Sequence, residues 1–161
     1  MSSTERTRPW VPIVLVAILT LGVAFFLADP LGRLKDALAM REKLRAIEPL
    51  VPIFNSNTAF LLWIDGQNEA AVALAKTTPE NQNNRVNVLV GAYAAMGRYG
   101  EAVDVLRDTS NKAATPYAAA RFGAAARILS KAPGPVVGED MPNLGSLSFV
   151  YLYVGATERA A

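Results

Sequence analysis

The sequence predicts an all-α protein, with one transmembrane helix followed by a small solenoid of helical hairpins. Three observations carry that prediction. Trp10 to Ala28 is an apolar run in which Thr20 is the only polar side chain. Downstream, apolar residues recur at three- and four-residue steps, the period of helices with one buried face. Two such segments, folded back about Gly97, have a fainter counterpart earlier in the chain. The expected organisation is a polar tail (1–9), the membrane helix (10–29), a linker with an amphipathic helix (30–51), helical hairpins (52–132), and a Pro/Gly loop with an apolar C-terminal segment (133–161).

At the helical rise, the apolar run spans about 28 Å, close to the roughly 30 Å hydrocarbon core of a bilayer. Ile13, Leu15, Leu19, Leu21, Phe25 and Phe26 would meet lipid, with Trp10 at the interface where an amphipathic ring is favoured. Pro9 and Pro12 fall at the start, where a helix tolerates proline. A cleaved signal peptide is the competing reading. The one plausible cleavage site, after Phe26-Leu27-Ala28, has bulky Phe26 where a small residue is needed. Orientation is drawn two ways. Arg33, Lys35, Arg41, Lys43 and Arg45 outnumber Arg6 and Arg8, which favours a cytoplasmic carboxyl side. A short basic region before a long apolar run has the form of a signal anchor, and the periplasmic or extracytoplasmic placement is adopted.

Asp29-Pro-Leu-Gly32 breaks the helix. From Leu34 to Glu48 a second helix is expected, with Leu34, Ala37, Met40, Leu44, Ile47 and Val51 as a near-heptad seam packed on the core. Pro49 and Pro52 end it, because proline pushes the preceding residue out of the helical region. Ser56 or Asn57 then caps a helix through Phe60, Leu61, Trp63 and Ile64, with Trp63 as a core residue. Asp65-Gly66 turns the chain, and Asn68 to Lys76 is rich in helix formers.

From Arg85 to Arg107 two helices meet at Gly97, a residue that accepts the left-handed backbone of a helix end. After Asp108 a loop runs to Pro116, and Tyr117 to Leu129 is an alanine-rich helix. Leu147 to Ala156 is apolar on every side. It fits a buried helix or a strand, and its helical setting favours helix. Its lack of a polar outer face predicts that it is covered by another element, the membrane or a partner. If a partner covers it, deleting 141–161 should release the protein from its complex.

Leu89, Tyr93, Gly97, Tyr99, Glu101, Ala102 and Leu106 carry a resemblance to the tetratricopeptide repeat, the helix-turn-helix unit of protein-docking solenoids. Val90 departs from that pattern, which has a small residue there, and so does Thr109, where the family has alanine. Glu69-Ala70 echoes Glu101-Ala102 thirty-two residues later, near the family's period. The resemblance implies a protein-docking surface, with Asn87, Tyr93, Arg98 and Tyr99 on the repeat face and Phe149, Tyr151 and Tyr153 on the tail as contact residues.

Composition narrows the chemistry. The chain has neither cysteine nor histidine, which removes disulfides, cysteine- or histidine-ligated metals and any His-based catalytic pair. Net charge is +2 with both signs interspersed, so no basic stripe marks a nucleic-acid site. No phosphate loop or paired carboxylates occur, and no enzyme activity and no cofactor are expected. The expected function is a non-catalytic scaffold or accessory subunit of a larger membrane protein complex, with the bilayer and other subunits as partners. The alternative is a periplasmic, membrane-tethered chaperone or peptide-binding adaptor.

Overall fold

A computed structural model describes residues 34–47, 51–82, 84–135 and 141–160. The predicted membrane span lies outside them, and among the described residues no helix is long and apolar enough to cross a membrane. The described part is all-α and helical-repeat-like. Its elements are α1 (Leu34–Ile47), α2 (Pro52–Ile64), α3 (Asn68–Lys76), α4 (Arg85–Ala95), α5 (Tyr99–Asn111) and α6 (Pro116–Leu129), then 3₁₀ helices at Gly145–Val154 and Thr157–Arg159.

Each helix packs on the next, and α2 also lies against α4, so the first helices of the two hairpins α2–α3 and α4–α5 stand side by side. Both hairpins turn on glycine in the left-handed region, Gly66 at φ 78° and Gly97 at φ 73°. Their amide partners match. Gln67 N–H donates to Leu62 O and Arg98 N–H donates to Tyr93 O, both at 2.9 Å, the long-range bond that closes a Schellman helix end. Gly66 and Gly97 are 31 residues apart, which corrects the spacing of thirty-two read from Glu-Ala pairs. At the true offset Ala71 pairs with Ala102 and Val72 with Val103, all buried, whereas Ala70 is exposed.

Local chemistry moved several boundaries. α2 starts at Pro52 rather than at a Ser56 or Asn57 cap; proline is already set for the first helical position, and Val51 precedes it with extended backbone. Ser56 is therefore buried inside the helix, and Thr58 satisfies its hydroxyl on Phe54 O at 2.7 Å. α5 continues past Asp108 to Asn111, with Thr109 bonding back to Val105 O at 2.7 Å. α6 begins at Pro116, capped by Thr115 Oγ1 accepting from Ala118 N–H at 3.2 Å.

The buried face of α1 is also turned from the expected seam. Ala37, Leu38 and Arg41 point inward, the last only 2% exposed. Met40 and Ile47, members of the seam, are 44% and 72% exposed. Arg41 is buried down to its guanidinium, Nε and Nη1 included, and this burial lowers its pKa from the ordinary value. α1 packs on α2 in a small cluster of its own, Ala37, Leu38 and Leu61 with Leu34 and Leu62 at the edge, separate from the main core.

The main core runs from Ala59 to Ala156 as one cluster. Of the three covers expected for the apolar tail, it is other elements of the chain that provide it. Leu144, Leu147 and Val150 are fully buried, as are Tyr151 and Val154. In a 3₁₀ helix side chains three apart eclipse, so Leu144, Leu147 and Val150 form a single apolar rail. That rail explains how a 3₁₀ run of ten residues persists. Gly155 ends it at φ 74°, and Ala156 N–H donates to Tyr151 O at 3.0 Å.

Candidate docking surface

In a regular stack of hairpins α6 would lie against α4 as α4 lies against α2. Here the backbones of α4 and α6 do not come close to each other, and the 3₁₀ helix Gly145–Val154 lies against both. The chain's own tail is a wedge in the face that the first helices of the hairpins would offer a partner. A second filling group is Trp63. Its indole crosses Gly91 of α4 so closely that a Cβ built there would meet Trp63 Cζ2 at 2.1 Å. Phe60 and Phe149 hold the indole edge-on, with ring centroids 5.7 and 5.2 Å away. The small residue that permits this approach is Gly91, one position after buried Val90. An isolated glycine inside a helical pattern was the sequence signal for it.

The residues expected to contact a partner do not share one environment. Tyr93 and Tyr151 are core residues, 3% and 1% exposed, so neither ring is available for docking. Tyr151 satisfies its hydroxyl on Pro142 O at 2.7 Å, which lets a phenol sit inside. Phe149 and Tyr153 are half-buried and serve as rivets between tail and hairpins. Phe149 meets Trp63, and Tyr153 meets Tyr99 with centroids 6.1 Å apart. Desolvation, with the neighbouring Tyr99, raises the Tyr153 phenol's pKa. Asn87 stays half-exposed on α4.

Arg98 is the centre of the most organised polar surface. It donates to both carboxylate oxygens of Glu101 and reaches Glu69 Oε1 at 3.2 Å. Its guanidinium also stacks on the Tyr93 ring at 4.7 Å, with Lys76 Nζ 5.7 Å from the same centroid. The bond from Arg98 holds the Glu101 carboxyl below its usual range. This network ties the two hairpins together across their turns, from Glu69 on α3 to Glu101 on α5. Beside it, Gly66, Gln67, Asn68, Glu69, Ala70 and Met96 line a shallow, open depression of about 370 Å³. Glu69 is its one charged residue. Among the described residues no group of three or more acidic, His or Cys side chains is placed to hold a metal ion.

Among the described residues the large apolar side chains left to solvent are Met40 and Ile47 on α1, Ile53 and Ile64 on α2, Tyr117 on α6 and Leu152 on the tail. Comparison of the chain with protein-family models, with curated proteins and with solved structures returns no match.

Proposed function

We propose that the chain is a non-catalytic, membrane-anchored scaffold or accessory subunit that stabilises or helps assemble a larger membrane protein complex, an energy-converting complex being one candidate class. Its domain is tetratricopeptide-like in this reading, held on the periplasmic side by the span at 10–29. The observation that carries the reading is the tail wedged between α4 and α6. A face filled by the protein's own core side chains has no room to capture and release clients, so association falls to the outer surfaces, in a lasting structural role. The alternative, a periplasmic chaperone or peptide-binding adaptor, needs that face open and is less well supported.

The test is native separation of membranes in mild detergent, followed by quantitative mass spectrometry of the fractions holding this chain. Co-migration at a fixed ratio with one large complex is expected. A free or polydisperse distribution would overturn the scaffold reading.

A further inference from the structure

Resting on the membrane-anchored reading, we infer that α1 lies on the bilayer surface, with Met40, Ile47 and neighbouring Ile53 dipped into the lipid interface. The inward face of α1 is spent on α2, through Ala37, Leu38 and Arg41. The opposite face carries Met40 and Ile47 on one flank and Ala39 and Ala46 on the other, with Asp36 and Lys43 between them, all exposed. Each flank repeats at seven, Ala39 with Ala46 and Met40 with Ile47, so Met40 and Ile47 form a second stripe along the helix. Ile53, 53% exposed, adds a further apolar side chain on the first turn of α2. The inward face of α1 is covered by α2, and among the described residues Met40 and Ile47 stay open to solvent on the other side.

Chain length identifies the other. Only Asp29 to Arg33 separate the apolar run from α1, and five residues reach at most roughly 17 Å when fully extended. The start of α1 is thereby held near the headgroups. Folding Trp10–Ala28 back over the stripe would cover only one side of a segment that is apolar all round, so bilayer is the better environment for that segment. The exposed charges of α1 balance, Lys35 and Lys43 against Asp36 and Glu42, so the placement rests on the apolar side chains rather than on attraction to anionic lipid. Lys35 and Lys43 are exposed on α1, and their long stems allow the ammonium groups to reach lipid phosphates while the apolar side chains enter the interface. Asp36 lies on the same side and limits the electrostatic part.

The absence of cysteine makes a direct test clean, because a single introduced thiol is the only one in the chain. The full chain carrying Ile47→Cys, Met40→Cys or, as a water-facing control, Asp104→Cys is spin-labelled and reconstituted in vesicles of phosphatidylethanolamine and phosphatidylglycerol. Collision with oxygen, which partitions into lipid, is compared with collision with a water-soluble nickel chelate. The labels on Met40→Cys and Ile47→Cys are expected to favour oxygen, and that on Asp104→Cys the chelate. If the label on Ile47→Cys meets the chelate as freely as the control, the stripe is wet and the inference fails. Low access to both reagents would put a protein surface there, a partner or a second copy, and overturns it equally. Failure of the full chain to float with vesicles after alkaline extraction would refute the anchor itself. Flotation with a wet Ile47 refutes only the placement of α1.

Discussion

Gly91→Ala is a change that ordinary helix propensity would call stabilising and that this packing makes destabilising. In a helix interior alanine is favoured over glycine by about 1 kcal/mol. Against that gain, the new methyl would sit 2.1 Å from Trp63 Cζ2, 2.4 Å from Cε2 and 2.8 Å from Cη2, so the indole has to leave its place. The ring is not a free end. Phe60 and Phe149 brace it, and Phe149 belongs to the tail that seals the core. Overpacking a well-filled site costs about 1–3 kcal/mol, and displacing a braced indole belongs at the upper end. The net expectation is a loss of about 1–2 kcal/mol after the propensity gain. For a domain near one hundred residues that lowers Tm by about 4–15 °C. The assay is thermal unfolding of the full chain in detergent, followed by far-ultraviolet circular dichroism. A cycle with Trp63→Leu isolates the cause: with the indole gone, Gly91→Ala should become neutral or stabilising by up to about 1 kcal/mol. A Gly91→Ala protein as stable as the parent, with the same result in both backgrounds, would refute the packing argument.

Other expectations follow from the same contacts. Gly97→Ala should cost about 1–2 kcal/mol for backbone reasons alone, since φ is 73° and a Cβ there meets nothing within 4 Å; urea unfolding measures it, and Gly97→Asn should recover part. Leu147→Ala should lose about 2–5 kcal/mol from a fully buried site. Leu152→Ala, at a position 52% exposed, should stay within about 0.5 kcal/mol in the same urea series. The Tyr153 pKa is raised, so its contribution is complete below the ordinary value of 10.0 and is lost as pH climbs through the raised one. Melting curves above pH 10.0 should therefore fall less steeply for Tyr153→Phe than for the parent.

Much of this architecture is legible before any coordinates. Asn68–Lys76 is read to the residue, because helix formers fill it and a glycine turn precedes it. Gly97 marks its turn for the same stereochemical reason. Where the reading failed, the deciding physics was not periodic hydrophobicity. The seam drawn on α1 put Met40 and Ile47 inside because a pattern of apolar residues cannot anticipate a buried arginine such as Arg41. The period of three along Leu144, Leu147 and Val150 went unread because apolar runs are weighed against periods of 3.6 and 2. Tyr93 and Tyr151 resembled docking residues because a tyrosine serves a core or a surface equally well until its hydroxyl partner is known. The tail's docking site proved to be its own chain. Deleting 141–161 would strip Leu144, Leu147, Val150, Tyr151 and Val154 from the core, so loss of a partner after that truncation would report unfolding rather than a lost interface.

Synthesis imposes an order on this protein. Chains emerge from the amino terminus at roughly 5–20 residues per second, and local hairpins form in microseconds, far ahead of the ribosome. α2 to α5 can pair as they appear, since each packs on its neighbour in sequence. The groove between α4 and α6 stays greasy and open until Val154 has been made, because its filling, Leu144 to Val154, is made only after α6. A nascent chain stalled after Leu129 would present that unfilled face to whatever is nearby. Closure of the fold is thus tied to synthesis of residues 144–154, and a product truncated before them advertises its own incompleteness to quality control.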